Sequence, residues 1–126
     1  MHDLDEWHLL NEAGRVHTEL GMAYLEAGNV AIALEEGRTA LRDDSSYGPA
    51  YNLMGLAHMY LGEKQQARDN FERALRLASS DPDINNNYGW FLCQQGRYPE
   101  SDAQFEIALA QTQYRGSSRT LLSHGV

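Results

Sequence analysis

Five histidines, one cysteine and the adjacent acids Glu35-Glu36 and Asp43-Asp44 are the residues of this 126-residue chain first weighed for chemistry. His2, His8, His17, His58 and His124 are scattered, and neither HExxH nor CxxC occurs, so no metal-ligand spacing is present. Cys93, the only cysteine, would need an activating base or an electropositive neighbour to act as a thiolate nucleophile, and only Arg97 stands near it in sequence. A free cysteine more often packs as a small hydrophobe. A single one forms no internal disulfide, so it leaves the redox compartment open. Glu35-Glu36 and Asp43-Asp44 suit paired-carboxylate catalysis only inside a pocket; nothing around them predicts one, and they read as solvated surface charge. Gly89 and Gly96 follow no predicted strand, which a phosphate-cradling glycine loop requires. The expectation is a protein that is not an enzyme and takes no cofactor and no metal.

These residues make better sense as parts of a repeat. Gly21, Gly55 and Gly89 are spaced 34 residues apart, and so are Gly28, Gly62 and Gly96. Ala40, Ala74 and Ala108 share the spacing, as do Leu41, Leu75 and Leu109, and Ala33, Ala67 and Ser101. The period is that of the tetratricopeptide repeat (TPR). In that register His17 and His58 occupy positions that hold Tyr51 and Tyr24 in other copies, which favours packing over chemistry.

Within each copy the apolar spacing is helical. Residues 33/37/40/41, 67/71/74/75 and 101/105/108/109 each run i, i+4, i+7, i+8, and so do Ile84, Tyr88, Phe91 and Leu92. The expected fold is all-α: a TPR superhelix of antiparallel helix pairs, about three repeats plus a partial fourth. Helices are expected near 13–27, 30–43, 48–61, 64–78, 82–95 and 98–112. Gly28, Gly62 and Gly96 should end the first helix of each pair in a left-handed conformation. Asp81-Pro82 reads as an N-cap followed by a first-turn proline; Pro99 and Pro49 should open their helices likewise, the latter with Ser45 or Ser46 near the cap. Gly21, Gly55 and Gly89 should face Ala33, Ala67 and Ser101 where paired helices cross, and Ala40, Ala74 and Ala108 should meet the next unit. Overpacking by Gly55→Leu is expected to cost roughly 1–3 kcal/mol. Gly37 stands where the other copies carry Phe71 and Phe105, so a loosely packed first pair is expected. The organisation is then 1–12 leader, 13–47 TPR 1, 48–81 TPR 2, 82–115 TPR 3 and 116–126 the start of a truncated fourth repeat. Trp7 and Leu10 either staple onto the first pair or belong to a frayed leader, and a helix at about 117–125 should pack on the third pair.

Hydrophobic residues at 42% and charged residues at 22% are ordinary globular usage, which argues against disorder. No apolar run approaches the ~18 residues of a membrane span, so no direct membrane insertion is expected. The net charge of −8 is concentrated: residues 1–50 carry ten acids against Arg15, Arg38 and Arg42. Such a surface repels a phosphate backbone, and no nucleic acid is expected as partner.

Stacked helix pairs curl, and the first helix of each lines the concave side. The inward stripes comprise Thr18, Met22, Leu25 and Glu26; Asn52, Leu56, Met59 and Tyr60; and Asn86, Trp90, Cys93 and Gln94. Met22, Asn52, Leu56, Met59, Tyr60, Asn86, Trp90 and Gln94 are the candidate partner-binding residues, since Met, Tyr and Trp anchor interfaces and amides pair with a ligand backbone. The alternative is that Leu25, Met59, Cys93 and Trp90 are half-buried between units and contact nothing else. TPR modules that clamp acidic chaperone tails carry Lys and Arg on these stripes. Here only Arg15 does, at the start, which disfavours that role.

The stretch NNYGWFLCQQGRYPESDAQFEIAL (86–109) resembles the third-repeat signature of the TPR lipoproteins of type IV pilus biogenesis, pilotins for the outer-membrane secretin. ELGMAYLEAGNVAIALEEGRTAL (19–41), AYNLMGLAHMYLGEKQQARDNFERAL (50–75) and the insertion before TLLSHGV support it. The resemblance implies a periplasmic protein, outer-membrane-tethered at full length, that helps the secretin localise and multimerise in fimbrial assembly and twitching motility. The family's lipoprotein signal and lipid-bearing cysteine are missing from this chain, and its members carry more repeats. A fragment of a longer array is therefore expected. The runner-up is a cytoplasmic TPR adaptor that binds a peptide segment of a regulatory or enzyme complex.

Overall fold

The computed structural model describes the backbone of residues 2–115 and the side chains of residues 12–111. Six α-helices follow one another: α1 (His2–Glu26), α2 (Val30–Asp43), α3 (Gly48–Tyr60), α4 (Lys64–Leu77), α5 (Pro82–Gln94) and α6 (Tyr98–Arg115). They pair as α1/α2, α3/α4 and α5/α6, and α3 also lies against both α1 and α2. The chain divides into two compact units at Ala78–Ser79, the first holding α1–α4 and the second α5 and α6.

The same device ends the first helix of every pair. Gly28, Gly62 and Gly96 have φ of 87°, 75° and 77°. Each sends its N–H back into the last turn, and the following residue reaches one step further: Asn29 N–H to Tyr24 O at 2.8 Å, Glu63 to His58 at 2.9 Å, Arg97 to Leu92 at 3.0 Å. This paired reach-back is the Schellman arrangement, which satisfies carbonyls that the helix end would leave orphaned. The carbonyls of Asn29, Glu63 and Arg97 then accept from Ala33, Ala67 and Ser101, so one residue closes a helix and opens the next.

Helix starts are more varied. Asp81 caps α5, its side chain accepting from the N–H groups of Asp83 and Ile84 at 2.8 and 3.1 Å, and Pro82 follows at the first position. The start of α3 differs from expectation. Tyr47 precedes the helix without a side-chain cap, and neither Ser45 nor Ser46 serves. Instead Asp44 Oδ1 accepts from the Ser46 N–H and hydroxyl, a local turn that turns the serines away from the helix. The helix α1 runs unbroken from His2, so most of the expected leader is helical. Trp7 and Leu10 fall outside the described side chains, and the helix expected at 117–125 outside the described residues.

The in-phase glycines are places of close approach. A Cβ on Gly55 would meet Phe71 Cδ1 at 2.8 Å, and one on Gly89 would meet Phe105 Cε1 at 2.7 Å. Ala33, Ala67 and Ser101 are buried beside these crossings, and the Ser101 hydroxyl donates to Gly89 O at 2.8 Å. Ala40 and Ala74 are fully buried; their carbonyls face Gly14 and Gly48 of their own pairs. The first pair is not loose at Gly37. Met54 and Leu53 of α3 fill the space that a phenylalanine ring occupies in the other pairs: a Cβ on Gly37 would meet Met54 Sδ at 2.5 Å, and one on Gly21 would run into Leu53 Cδ2.

Candidate functional site

Each unit presents part of the expected surface. On α5 the buried face is Ile84, Asn85, Tyr88, Gly89, Phe91 and Leu92. The opposite face carries Asn86, Trp90 and Gln94 at i, i+4, i+8, all exposed, with the indole open over 55% of its surface. A half-exposed indole between two amides offers a flat apolar platform with hydrogen-bonding groups on either side. In the first unit, Tyr60 is 66% exposed, and Met22 and Met59 are partly open. Asn52 and Leu56 are buried, at 7% and 8%. They occupy the same repeat positions as the open Asn86 and Trp90, but α3 is flanked by α1, α2 and α4, and nearly its whole circumference is covered. Sequence reasoning passed over Leu61 and Tyr98, exposed apolar side chains beside the glycine turns. The other copies carry Ala27 and Gln95, or Val30 and Lys64, at those positions, and that mismatch was the available signal.

The charges near these stripes are largely spoken for. Arg15 is held between Glu12 and Glu19 on one helix face, and its bonds to Glu12 first and Glu19 second raise its pKa above the ordinary arginine value. It is thus no free cation for an acidic ligand. Glu36 Oε1 accepts from His17 Nδ1 at 2.7 Å, and Glu63 Oε1 from His58 Nδ1 at 2.7 Å, so both histidines bridge elements through carboxylates. Arg97 pairs with Glu100 within the first turn of α6. Burial, then repulsion from Glu19, raises the Tyr47 phenol above its usual range. Cys93 is a free, partly buried thiol. Among the described residues, no group of three or more His, Cys, Asp or Glu is placed to hold a metal ion, and no helix is long and apolar enough to cross a membrane.

Known proteins agree with this architecture. A protein of Haemophilus influenzae without assigned function is 29% identical over 81% of this chain and 57% of its own length. The type IV pilus assembly protein PilF of Pseudomonas aeruginosa is 31% identical over 92% of this chain and 46% of its own. The PilF structure superposes with a TM-score of 0.79, covering 87% of this chain and 50% of that one. The crystal structure of PilW, a widely conserved type IV pilus biogenesis factor, is 33% identical with a TM-score of 0.74, covering 82% of this chain and 48% of that one. The chain thus spans about half the length of these relatives. The family profile described as tetratricopeptide repeat matches residues 52–117. Repeats of this kind are typically non-catalytic and bind protein or peptide partners, and this chain, with its six paired helices, belongs to the tetratricopeptide repeat family.

Proposed function

We propose that this protein is a non-catalytic binding scaffold of type IV pilus biogenesis, serving the assembly and outer-membrane localisation of the secretin, and periplasmic and membrane-tethered at full length. The similarity to PilF and PilW over most of the chain supports the pilus assignment. The observation that carries the binding site is the exposed indole of Trp90 between Asn86 and Gln94. An indole left half in water contributes little to the core, and a partner that covers it gains apolar contact and two amide hydrogen bonds. In the first unit Tyr60, with Met22 and Met59, supplies the same mixture. Asn52 and Leu56, being closed, support the stripe from beneath.

The partner is a protein segment whose recognition does not rely on a carboxylate, because the one basic residue at the stripe's start is already paired. The experiment is complementation of a pilus-deficient strain that lacks the full-length gene. Gene copies carrying Trp90→Ala or Tyr60→Ala should give reduced secretin multimers on a non-denaturing gel while the protein accumulates normally. Wild-type secretin multimers from both variants would move the binding site elsewhere.

A further inference from the structure

The row of α1 that holds Met22 differs in charge from the matching row of α3. Glu12, Arg15, Glu19, Met22 and Glu26 are spaced i, i+3, i+7, i+10, i+14, which puts them on one face of the helix. Met22 is half-buried and the other four are exposed. Met22 thus has a carboxylate one turn before it, Glu19, and another one turn after it, Glu26. On α3 the same repeat positions hold Ser46, Pro49, Leu53, Leu56 and Tyr60, without a charge. The two helices lie against each other, and Glu26 shares its repeat position with the exposed Tyr60. A segment that covers Tyr60 and Met22 together therefore brings its own side chains up to an acidic row.

The one cation of the row does not cancel it. Arg15 donates through Nη1 to Glu19, at 2.9 Å to Oε1 and 3.0 Å to Oε2, and through Nη2 to Glu12. Three carboxylates against one guanidinium leave the row two charges negative. A neighbouring group registers the excess. Tyr47 stands beside α1, its Cδ2 3.7 Å from where a Cβ on Gly14 would lie. Its phenol is raised by burial first and by the charge of Glu19 second, and Arg15 opposes this less strongly than Glu19 adds to it. Because the acids are exposed, a single ion pair with any of them adds little affinity. Their effect falls on the rate of encounter and on the choice of partner.

We propose that the protein segment bound by this chain carries lysine or arginine beside its apolar anchor, and that Glu19 and Glu26 receive those cations on either side of Met22. The proposal rests on the reading that Tyr60 and Met22 belong to the partner-binding stripe. A segment with aspartate or glutamate at that place is repelled, the reverse of a module that clamps an acidic tail.

Association kinetics of the full chain with the purified periplasmic part of the secretin test this. The parent's association rate should fall about tenfold between about 0.05 and 0.5 M salt, as screening removes the attraction. Glu19→Gln with Glu26→Gln should lower the low-salt rate by about three- to tenfold and flatten the salt dependence. Arg15→Gln should raise the rate, since it leaves the row more negative. All three side chains are exposed, so thermal melts of both variants should match the parent within a degree or two. Equal rates in the three chains, or the opposite order, would overturn the proposal. In that event a Tyr60→Ala, Trp90→Ala variant that still loses affinity leaves the stripe itself standing, and one that binds like the parent removes the stripe as well. A parent chain that does not associate at all overturns both.

Discussion

Phe71 and Phe105 lay their rings under Gly55 and Gly89, and at the matching place in the first pair Gly37 has no side chain at all. The volume is supplied across the chain by Met54 and Leu53. Restoring the repeat's phenylalanine with Gly37→Phe should therefore destabilise, by about 1–3 kcal/mol, because the ring would enter occupied space. Chemical denaturation measures it, and adding Met54→Ala should recover part of the loss. A stabilised single variant would contradict this packing. Ser101 is the converse case, a polar atom admitted to a site that holds alanine in the other pairs. Its buried 2.8 Å bond to Gly89 O makes Ser101→Ala cost about 1 kcal/mol, measured by chemical denaturation. None of this compensation was legible in the sequence. The 34-residue period marks equivalent positions, but it cannot show that a residue from another helix has moved into a vacancy.

At the level of elements, the local signals were strong. Three glycines at positive φ and Asp81-Pro82 put the described helix ends within a residue or two of expectation at most boundaries, because each acts through backbone geometry that tertiary packing does not overrule. The start of α3 was less legible, since Ser45, Ser46 and Asp44 compete for the same turn and Asp44 takes it. The exposure of the proposed binding stripe was legible only in part for a related reason. Asn52 and Leu56 share helical phase with Asn86 and Trp90, yet phase does not say how many neighbours a helix has, and α3 has three. Asp81→Ala should cost about 1 kcal/mol, since two first-turn N–H groups lose their acceptor. Hydrogen exchange at Asp83 and Ile84 should rise in that variant, and an unchanged rate would show that the cap is dispensable.

At the scale of the whole molecule, the proposed function rests on shape and exposed apolar surface. Among the described residues His17 and His58 are tied to carboxylates and Cys93 is a lone thiol, and most of the net charge of −8 gathers in the first fifty residues. The proposed binding surface is the open part of two stripes, in which Tyr60 and Trp90 are the large exposed aromatic side chains. Because both are more than half exposed, truncating them should leave the melting temperature within a degree or two of the parent, as surface changes usually do. The most direct measurement is calorimetric titration of the full chain and of a Tyr60→Ala, Trp90→Ala variant with the purified periplasmic part of the secretin, alongside thermal melts of both chains. The account predicts at least about a tenfold loss of affinity, near 1.4 kcal/mol, with the melt unchanged. Equal affinity for the parent and a folded double variant would contradict it.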